Sequence, residues 1–405
     1  MKFEIRPAVK EEMEAFKHVA FTALVMSPEV MPPEIVHGIN PDWTLCAFEK
    51  GKLATSYAAW PLMMQINGAP VPVAGITCVG TLPVYRGHGH LGQVISQHFK
   101  ILHEKGEQPI AALYASRASI YQRFGFAVVS TRYTYHVDPG YLQFALPRPN
   151  LDGRFRELND DEFPVLSELY GEFRAERHGY IKRGKESWLV AILKPPATPG
   201  QFINKILYEE NGKPTGYIIY TSEPLESAAG MPRHRIHIRD LVWLTSSAYD
   251  AIWDYLSKMK LADHISWDRV PPDDPLPHLL LEPRMLNLTA MDGLLGRIVD
   301  IERALTKRTY NSEGTLTFEI QDDLCPWNNG RWQLETAGNQ SRIRETTDNP
   351  DVTMPISTLA MLLFGQISAT EAARMGRLDV RDTGELCTWD HVMHTKYRPF
   401  CADLF

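Results

Sequence analysis

Apolar residues recur at helical spacing in two segments of the first third of the chain. The first segment has apolar positions at Met13, Phe16, Val19, Ala20 and Ala23, and the second has them at Leu91, Val94, Ile95, Phe99 and Leu102. Positions three and four residues apart share one face of a helix, so each segment is predicted to be an amphipathic helix. Gly106 is of the residue type that commonly follows a helix, and it is predicted to end the second one.

The segment between these helices has the pattern of β-strands. Residues 43–82 contain turn signals at 50–52 and at Asn67-Gly68, between runs rich in strand-forming residues. A buried strand at 109–116, a short helix at 118–126 and an alternating strand at 131–138 are predicted after the second helix. This order predicts an α/β (α+β) fold, with a mixed central sheet and helices on its faces.

The rest of the chain contains two proline-rich connections, one at 147–149 and one at 268–283. Between them, residues 234–259 are predicted to form a strand, a turn and a helix. This layout copies that of residues 73–100 but lacks their glycines and arginine. We interpret it as an internal repeat whose ligand loop has been lost.

The segment after the second connection is predicted to be a small α+β domain. Its predicted elements are an amphipathic helix at 291–308, strands at 315–321 and 330–336, and two short helices that are split at Gly365. In the first of these strands Leu316, Phe318 and Ile320 share one face. Three domains are therefore predicted, at 1–146, 147–288 and 289–405.

Composition narrows the classes of function. The 405 residues are 44% hydrophobic and 22% charged, which is typical of a soluble globular protein. A net charge of −7 argues against nucleic acid as the main partner, because neutralising phosphates requires a basic face. No window approaches 18 uninterrupted apolar residues, so no membrane span is expected. The five cysteines are widely spaced, which favours reduced thiols and a cytoplasmic location.

The stretch "LPVYRGHGHLGQVI" at 82–95 points to a bound anion. A turn that opens into a helix leaves the first backbone N–H groups free, and glycines let a phosphate approach them closely. Arg86 adds a permanent charge that can bind a phosphate through two hydrogen bonds. The Walker sequence is absent, and the preceding strand does not open a βαβ unit as in a Rossmann fold. The stretch is therefore interpreted as a pyrophosphate site.

The loop R-x-x-G after a strand resembles the acetyl-coenzyme A (acetyl-CoA) loop of the GNAT acetyltransferases. Together, "GITCVGTLPVYRGHGHL" at 75–91 and "ALYASRASIYQRFGF" at 112–126 resemble the Eis family of three-domain acetyltransferases. This resemblance implies tandem GNAT folds, the second degenerate, followed by a small domain like a sterol carrier protein. It also implies direct transfer of acetyl from acetyl-CoA, as cosubstrate, to a primary amine in a ternary complex. The amine would be aminoglycoside-, polyamine- or lysine-like, and the protein a homo-oligomer, with a hexamer suggested.

The same resemblance implies a role for individual residues. The residues that it assigns to cofactor binding are Val79, Thr81, Arg86, Gly87, Gly89, His90, Leu91 and Ser116. It makes Tyr121 the general acid that protonates the departing thiolate, and the carboxylate of Phe405 the base that accepts the proton of the amine. It places Phe21 in the substrate pocket. The sequence "FTALVMS" after that point contains no acid, which favours a less charged amine than a polycationic aminoglycoside.

Several of these residues have simpler interpretations. His88 and His90 can ligate a metal, but the sequence shows no third ligand near them, so no metal is expected. Tyr121 can be a core aromatic residue, and Ser116 can cap the next short helix. For the whole protein, the alternative is a non-enzymatic sensor or carrier of acyl-CoA or lipid.

Overall fold

A computed structural model of the chain describes residues 3–26, 38–148, 153–196, 201–225, 233–338 and 340–405. The chain forms two compact units. Unit 1 contains Met1–Ser130, His178–Ile181 and Gly293–Phe405, and unit 2 contains Thr131–Arg177 and Lys182–Asp292. Within the described ranges, no helix is long and apolar enough to cross a membrane.

The strands and helices of the described residues are numbered in chain order. The strands are β1 Glu4–Arg6, β2 Cys46–Glu49, β3 Lys52–Ile66, β4 Ala69–Thr81, β5 Ile110–Leu113, β6 Ala127–Val128, β7 Thr131–Val137, β8 Arg154–Glu157, β9 Phe202–Glu210, β10 Lys213–Leu225, β11 Arg233–Trp243, β12 Ala262–Val270, β13 Thr289–Asp292, β14 Leu295–Ile298, β15 Gly314–Gln321, β16 Gly330–Ala337, β17 Gln340–Glu345, β18 Val352–Pro355 and β19 Asp379–Val380. The helices are α1 Met13–Leu24, α2 His90–Lys105, α3 Ala118–Gln122, α4 Phe163–Ala175, α5 Lys185–Ser187, α6 Ser246–Ser257, α7 Leu276–Leu279, α8 Ile301–Lys307, α9 Ile356–Leu363, α10 Ala369–Arg374 and α11 Glu385–Met393.

Three sheets organise the two units. Unit 1 has a seven-stranded sheet in the order β1-β2-β3-β4-β5-β14-β6 and a five-stranded sheet in the order β17-β16-β15-β18-β19. Unit 2 has a seven-stranded sheet in the order β13-β7-β12-β11-β10-β9-β8. All three sheets combine parallel with antiparallel pairs, such as parallel β4 with β5 and antiparallel β3 with β4. The predicted mixed α/β (α+β) class is confirmed.

The two predicted amphipathic helices correspond to α1 and α2. Phe16 and Val19 of α1 are buried, as are Val94 and Phe99 of α2. Gly106 follows α2 in the left-handed conformation, with a φ of 69°, and its N–H donates to the carbonyl oxygen of Leu102. Since glycine has no Cβ, it adopts this conformation with little strain and ends the helix where the sequence predicts.

The predicted elements of the last segment are also present, with one exception. Leu316, Phe318 and Ile320 of β15 are 0–2% exposed and contribute to the core of unit 1. Helices α9 and α10 are separated near Gly365, which has a φ of 65°. The predicted helix at 291–308 is wrong for its first half, because that part forms the end of β13 and all of β14.

The pairing of β7 and β14 differs from the predicted order. The sequence predicts the alternating strand at 131–138 as the last strand of the first sheet, but β7 pairs with β12 and β13 in the sheet of unit 2. Strand β14 instead lies between β5 and β6 in the sheet of unit 1, and all four of its residues are buried. A strand that is buried on both faces shows no alternation, so the sequence of β14 is easily mistaken for the start of the helix that follows it. The predicted domain bounds, 1–146, 147–288 and 289–405, stay a prediction.

Candidate active site

Strand β4 continues beyond its last pair with β5, and the candidate site is built around this part of the strand. Residues Val73–Ile76 of β4 pair in parallel with residues Ile110–Leu113 of β5. Just beyond these pairs β4 contains a bulge, because its register with β3 shifts between Ser56 and Ala58. Cys78, at the bulge, has a φ of 51°, a conformation that is strained for a side chain with a Cβ. The last residues of β4, Val79 to Thr81, follow the bulge and line a cavity.

This cavity in unit 1 has a volume of about 880 Å³. It is lined by all the residues that the sequence analysis assigned to the cofactor, and by the predicted general acid: Val79, Thr81, Arg86, Gly87, Gly89, His90, Leu91, Ser116 and Tyr121. Sites for small molecules commonly have volumes of about 300–1,000 Å³. The fold thus brings residues from β4, from the loop before α2 and from the segment around α3 to one cavity.

The loop before α2 has the backbone conformation that an anion site requires. Gly87 and Gly89 have φ values of 84° and 79°, and Gly89 is the N-cap of α2. Among the described residues, no heavy atom would lie within 4 Å of a Cβ added at either glycine. The loop is therefore open on the side where a side chain would project, and the N-terminus of α2 lies at the cavity. The positive end of the helix dipole favours negative charge there.

Arg86 is held at the edge of the cavity by backbone carbonyl groups. Its Nε donates to the carbonyl oxygen of Thr81 at 3.3 Å, and its Nη2 donates to that of Ala23 at 3.3 Å. Both bonds are long, and the side chain is exposed. The guanidinium is therefore positioned but still able to bind an anion.

Arg117 and Arg123 also line the cavity, and the sequence analysis did not assign them a role. Arg123 donates from Nε to the carbonyl oxygen of Ile120 at 3.0 Å, and its guanidinium lies 5.0 Å from the ring centre of Phe124. Both arginines belong to the segment "SRASIYQRFG", which was used for its serine and tyrosine. Two cations from outside the glycine loop thus also line the cavity.

Tyr121 is buried at the inner end of α3, and it is 7% exposed. Its ring packs edge-on against Phe126, with ring centres 5.9 Å apart. Burial raises the pKa of Tyr121 to about 12, because the charged phenolate would lose its solvation. At neutral pH the hydroxyl is therefore protonated and can donate a proton or a hydrogen bond at the cavity.

A cluster of one carboxylate and two imidazoles lies beside the glycine loop. Glu49 Oε2 is 3.0 Å from Nδ1 of His88 and 3.3 Å from Nε2 of His90. The hydrogen bond with His88 lowers the pKa of Glu49, and burial lowers that of His90. The expectation that no third ligand lies near the two histidines is therefore wrong. Glu49 ends β2 and is far from them in sequence, so spacing could not reveal it.

Phe405 does not line the cavity, but it packs beside β4 and the end of β5. Its ring centre is 5.5 Å from that of Tyr114, which directly follows β5. One of its ring carbons, Cδ2, is 3.0 Å from the position of a Cβ on Gly75 of β4. The hydroxyl of Tyr114 donates to the carbonyl oxygen of Cys401 at 3.0 Å. These contacts hold the segment before Phe405 against β4 and β5.

Phe21, the predicted substrate-pocket residue, lies on α1 but does not line the cavity. It packs against an apolar cluster that includes Phe16 of α1 and Phe48 of β2, together with Trp60 at its edge. Residues 23–25, at the end of the same helix, do line the cavity. The rest of "FTALVMS" includes Ser27, which lies outside the described residues.

Models of known families match three parts of the chain. The GNAT acetyltransferase domain matches residues 4–129 and, in a second form, residues 179–298. The sterol carrier protein domain matches residues 301–402. These matches agree with the predicted order of an acetyltransferase domain, a second one and a sterol-carrier-like domain.

Proteins that are similar over most or nearly all of the chain are N-acetyltransferases. An uncharacterised N-acetyltransferase of Streptomyces avermitilis is 28% identical over 415 residues, covering 99% of this chain and 98% of the relative. A second one from that organism is 30% identical over 319 residues, covering 77% and 76%. The N-acetyltransferase Eis of Mycobacterium tuberculosis is 27% identical over 334 residues, covering 80% and 78%.

Solved structures share the fold. Eis1 from Mycobacterium abscessus is 26% identical and has a TM-score of 0.83, covering 99% of this chain and 100% of that one. A GCN5-related N-acetyltransferase from Anabaena variabilis has a TM-score of 0.86 at 24% identity, with full coverage of both chains. The likeness to the Anabaena protein concerns the fold alone. The likeness to Eis1 combines a shared fold with sequence similarity over nearly all of the chain.

Proposed function

The chain belongs to the Eis-like family of three-domain GNAT acetyltransferases, and on this premise we propose that it transfers acetyl directly from acetyl-CoA to a primary amine in a ternary complex. Enzymes of this family use acetyl-CoA, so the non-enzymatic alternative is set aside. One observation carries the proposal. The protonated Tyr121 and the predicted cofactor residues line a single cavity, although they come from separate segments.

The residues of the cavity fit the phosphates of the cosubstrate. Gly87 and Gly89 leave open space beside the N-terminus of α2, and Arg86 lies at the same edge. We assign the pyrophosphate to this loop, because backbone N–H groups and an arginine are its usual partners. Arg117 and Arg123 are assigned to the remaining phosphate, on the adenosine ribose.

The transfer needs an acid, a base and a group that stabilises the oxyanion. The nitrogen of the amine attacks the thioester carbon, and the carbon–sulfur bond breaks as acetyl moves to nitrogen. Tyr121 donates its proton to the leaving sulfur, since its raised pKa keeps it protonated. The backbone of β4 near Val79 is assigned to the oxyanion. The carboxylate of Phe405 is assigned to orient the amine and accept its proton, giving the amide and the free thiol.

The acceptor is proposed to approach from the side of Gly75, Tyr114 and Phe405. Tyr121 and Ile76 pack with α2 in one apolar cluster, whereas Tyr114 and Phe405 pack against a different one. Residues of β4 alternate between faces, so Gly75 and Ile76 point to opposite sides of the sheet. The amine and the phosphates would then approach from opposite sides of the sheet at β4, and the reacting bond would lie between them. The amine is proposed to be a small molecule or a peptide, less charged than an aminoglycoside.

The remaining proposals follow from the family resemblance and the composition. The protein is proposed to be a cytoplasmic homo-oligomer, with a hexamer as the first state to test by light scattering. Neither nucleic acid nor a resident metal is required for the acetyl transfer described above.

Release of the CoA thiol tests the function. The full chain is assayed with acetyl-CoA against polyamines, aminoglycosides and peptide amines, beside a variant that lacks Phe405. We expect release with at least one amine, and loss of release but retained CoA binding in the shortened variant. Release that does not depend on any amine would contradict the acetyltransferase assignment. Equal turnover without Phe405 would remove that residue from the mechanism.

A further inference from the structure

We propose that Glu49, His88 and His90 form a binding site for a divalent transition-metal ion, Zn²⁺ above all, which fixes the glycine loop at the cavity. Among the described residues, these three have ligand atoms that all lie within 4.8 Å of one another. The proposal goes beyond acetyl transfer. The sequence analysis assigns His90 to cofactor binding, but neither it nor the transfer mechanism gives a role to Glu49 or His88.

Two of the three distances between the ligand atoms are close to those of a filled site. Bonds of about 2.0–2.2 Å from zinc to nitrogen and oxygen place neighbouring tetrahedral ligands roughly 3.3 Å apart. The observed separations from Glu49 Oε2 are 3.0 Å to His88 and 3.3 Å to His90. Small movements of the side chains would therefore admit the ion, and water could provide a fourth ligand.

The state of His90 is the second observation that points to a ligand. His90 is 2% exposed, and within the described part of the chain neither of its ring nitrogens has a hydrogen-bond partner. Its Nε2 nevertheless faces the carboxylate of Glu49 at 3.3 Å. A buried imidazole without a hydrogen bond is costly, and coordination of a metal would use its lone pair. Phe3 packs edge-on against the ring at 4.4 Å and restricts its position.

The set of donors selects the type of ion. Imidazole nitrogens favour zinc, copper and nickel over magnesium and calcium, which prefer oxygen ligands. Two imidazoles with one carboxylate match a common zinc ligand set. His88 is 34% exposed in its side chain, so an ion can enter from solvent.

The site joins β2 to the loop on which cofactor binding is proposed to depend. His88 lies between Gly87 and Gly89, and His90 begins α2. A bound ion would reduce the freedom of these residues and add positive charge near the assigned pyrophosphate. CoA should therefore bind more tightly to the metal-loaded protein, and by linkage the ion should bind more tightly with CoA present. This coupling rests on the proposed function, whereas the metal site itself does not.

Titration of the full chain with Zn²⁺, without cofactor, tests the site. The background variant is Cys387→Ser, because the thiol of Cys387 is exposed and could bind zinc by itself. We expect one saturable ion per chain. Its affinity should fall by at least roughly tenfold in Glu49→Gln and in His88→Asn, since losing even an outer partner of a metal ligand has that effect. His391→Asn, at an exposed histidine of α11, is the control and should be unchanged.

Two results would overturn the site: no saturable binding, or equal affinity in the control and the two site variants. His88→Asn keeps the test valid if the buried Glu49→Gln variant does not fold. Visible absorption of the Co²⁺-loaded protein gives a separate readout, and bands of a four-coordinate ion should appear in the control but not in His88→Asn.

The coupling is measured with desulfo-CoA, which lacks the thiol that would itself bind zinc. Its affinity should increase severalfold when the protein is loaded with zinc, and His88→Asn should show no increase. If zinc binds but the affinity for desulfo-CoA stays the same, the role in fixing the loop is overturned. If desulfo-CoA does not bind at all while zinc does, the failure belongs to the proposed function and not to the metal site.

Discussion

Replacing Tyr121 by phenylalanine removes a single hydroxyl group from the cavity. The ring at position 121 would keep its packing against Phe126, because phenylalanine and tyrosine have the same ring. In the described part of the chain, no protein group hydrogen-bonds the hydroxyl of Tyr121, and burial is the cause of its raised pKa. The change therefore leaves no buried partner unsatisfied, and we expect the free energy of unfolding to change by less than about 1 kcal/mol.

The expected loss lies in the chemical step. Proton donation by a positioned acid contributes roughly 10²- to 10⁴-fold to a rate, or about 3–5 kcal/mol of transition-state stabilisation. We expect kcat for Tyr121→Phe to fall within that range, while the affinity for CoA stays within about twofold. Because burial raises the pKa of Tyr121 to about 12, its acid form persists through the usual assay range. Wild-type turnover should therefore show no decline due to Tyr121 between about pH 7 and pH 10.

Thiol release at saturating amine measures kcat, and calorimetric titration with CoA measures affinity. Tyr141→Phe is the matched control, since that tyrosine is 41% exposed and does not line the cavity. A kcat within about threefold of the control would refute the role of Tyr121 as the acid. An equal loss of CoA affinity and turnover would instead make it a binding residue.

Three further changes test other parts of the structure. Arg86→Ala should weaken CoA binding by about 1.5–3 kcal/mol, the usual contribution of a charged hydrogen bond, and calorimetry would contradict the pyrophosphate site if affinity were equal. Gly75→Val should clash with Leu62 and Phe405, which lie 2.4 and 3.0 Å from a Cβ there, and so lower turnover with amine but not CoA affinity. Lowering the pH from 6.5 to about 4 should reduce the free energy of unfolding through His98. Burial lowers the pKa of His98 to about 4 in the folded protein, so the unfolded chain binds the proton first. Chemical denaturation should show that this loss reaches about 3 kcal/mol, and that it is absent in His98→Gln. If stability fell with acid equally in His98→Gln and in the wild type, the neutral state of the imidazole would be contradicted.

Local patterns were sufficient for much of the fold and for the glycine loop. Helices α1 and α2 follow from apolar spacing, because an element that covers a core on one side carries its periodicity in the sequence. The left-handed Gly87 and Gly89 follow from residue type, since glycine is favoured where φ is positive. The motif around Tyr121 identified residues that line the cavity, although Arg117 and Arg123 in the same motif were not recognised.

Elements that depend on long-range pairing were not predictable in this way. The buried residues of β14 show no periodicity, and β7 alternates in the same manner whichever sheet it joins. Which strands pair depends on how the whole sheet assembles, so the sequence of one strand does not predict its neighbours.

The sequence by itself therefore determined the residue types of the site: a glycine loop that can receive an anion, an arginine beside it and a tyrosine after the next strand. The tertiary structure decided their neighbours. It placed Glu49 within 3.0 Å of His88 and the ring of Phe405 beside Gly75. Burial, which raises the pKa of Tyr121, is also a property of the packed chain. Chemical identity is local, but distance and solvation result from the packing of segments that lie far apart in the sequence.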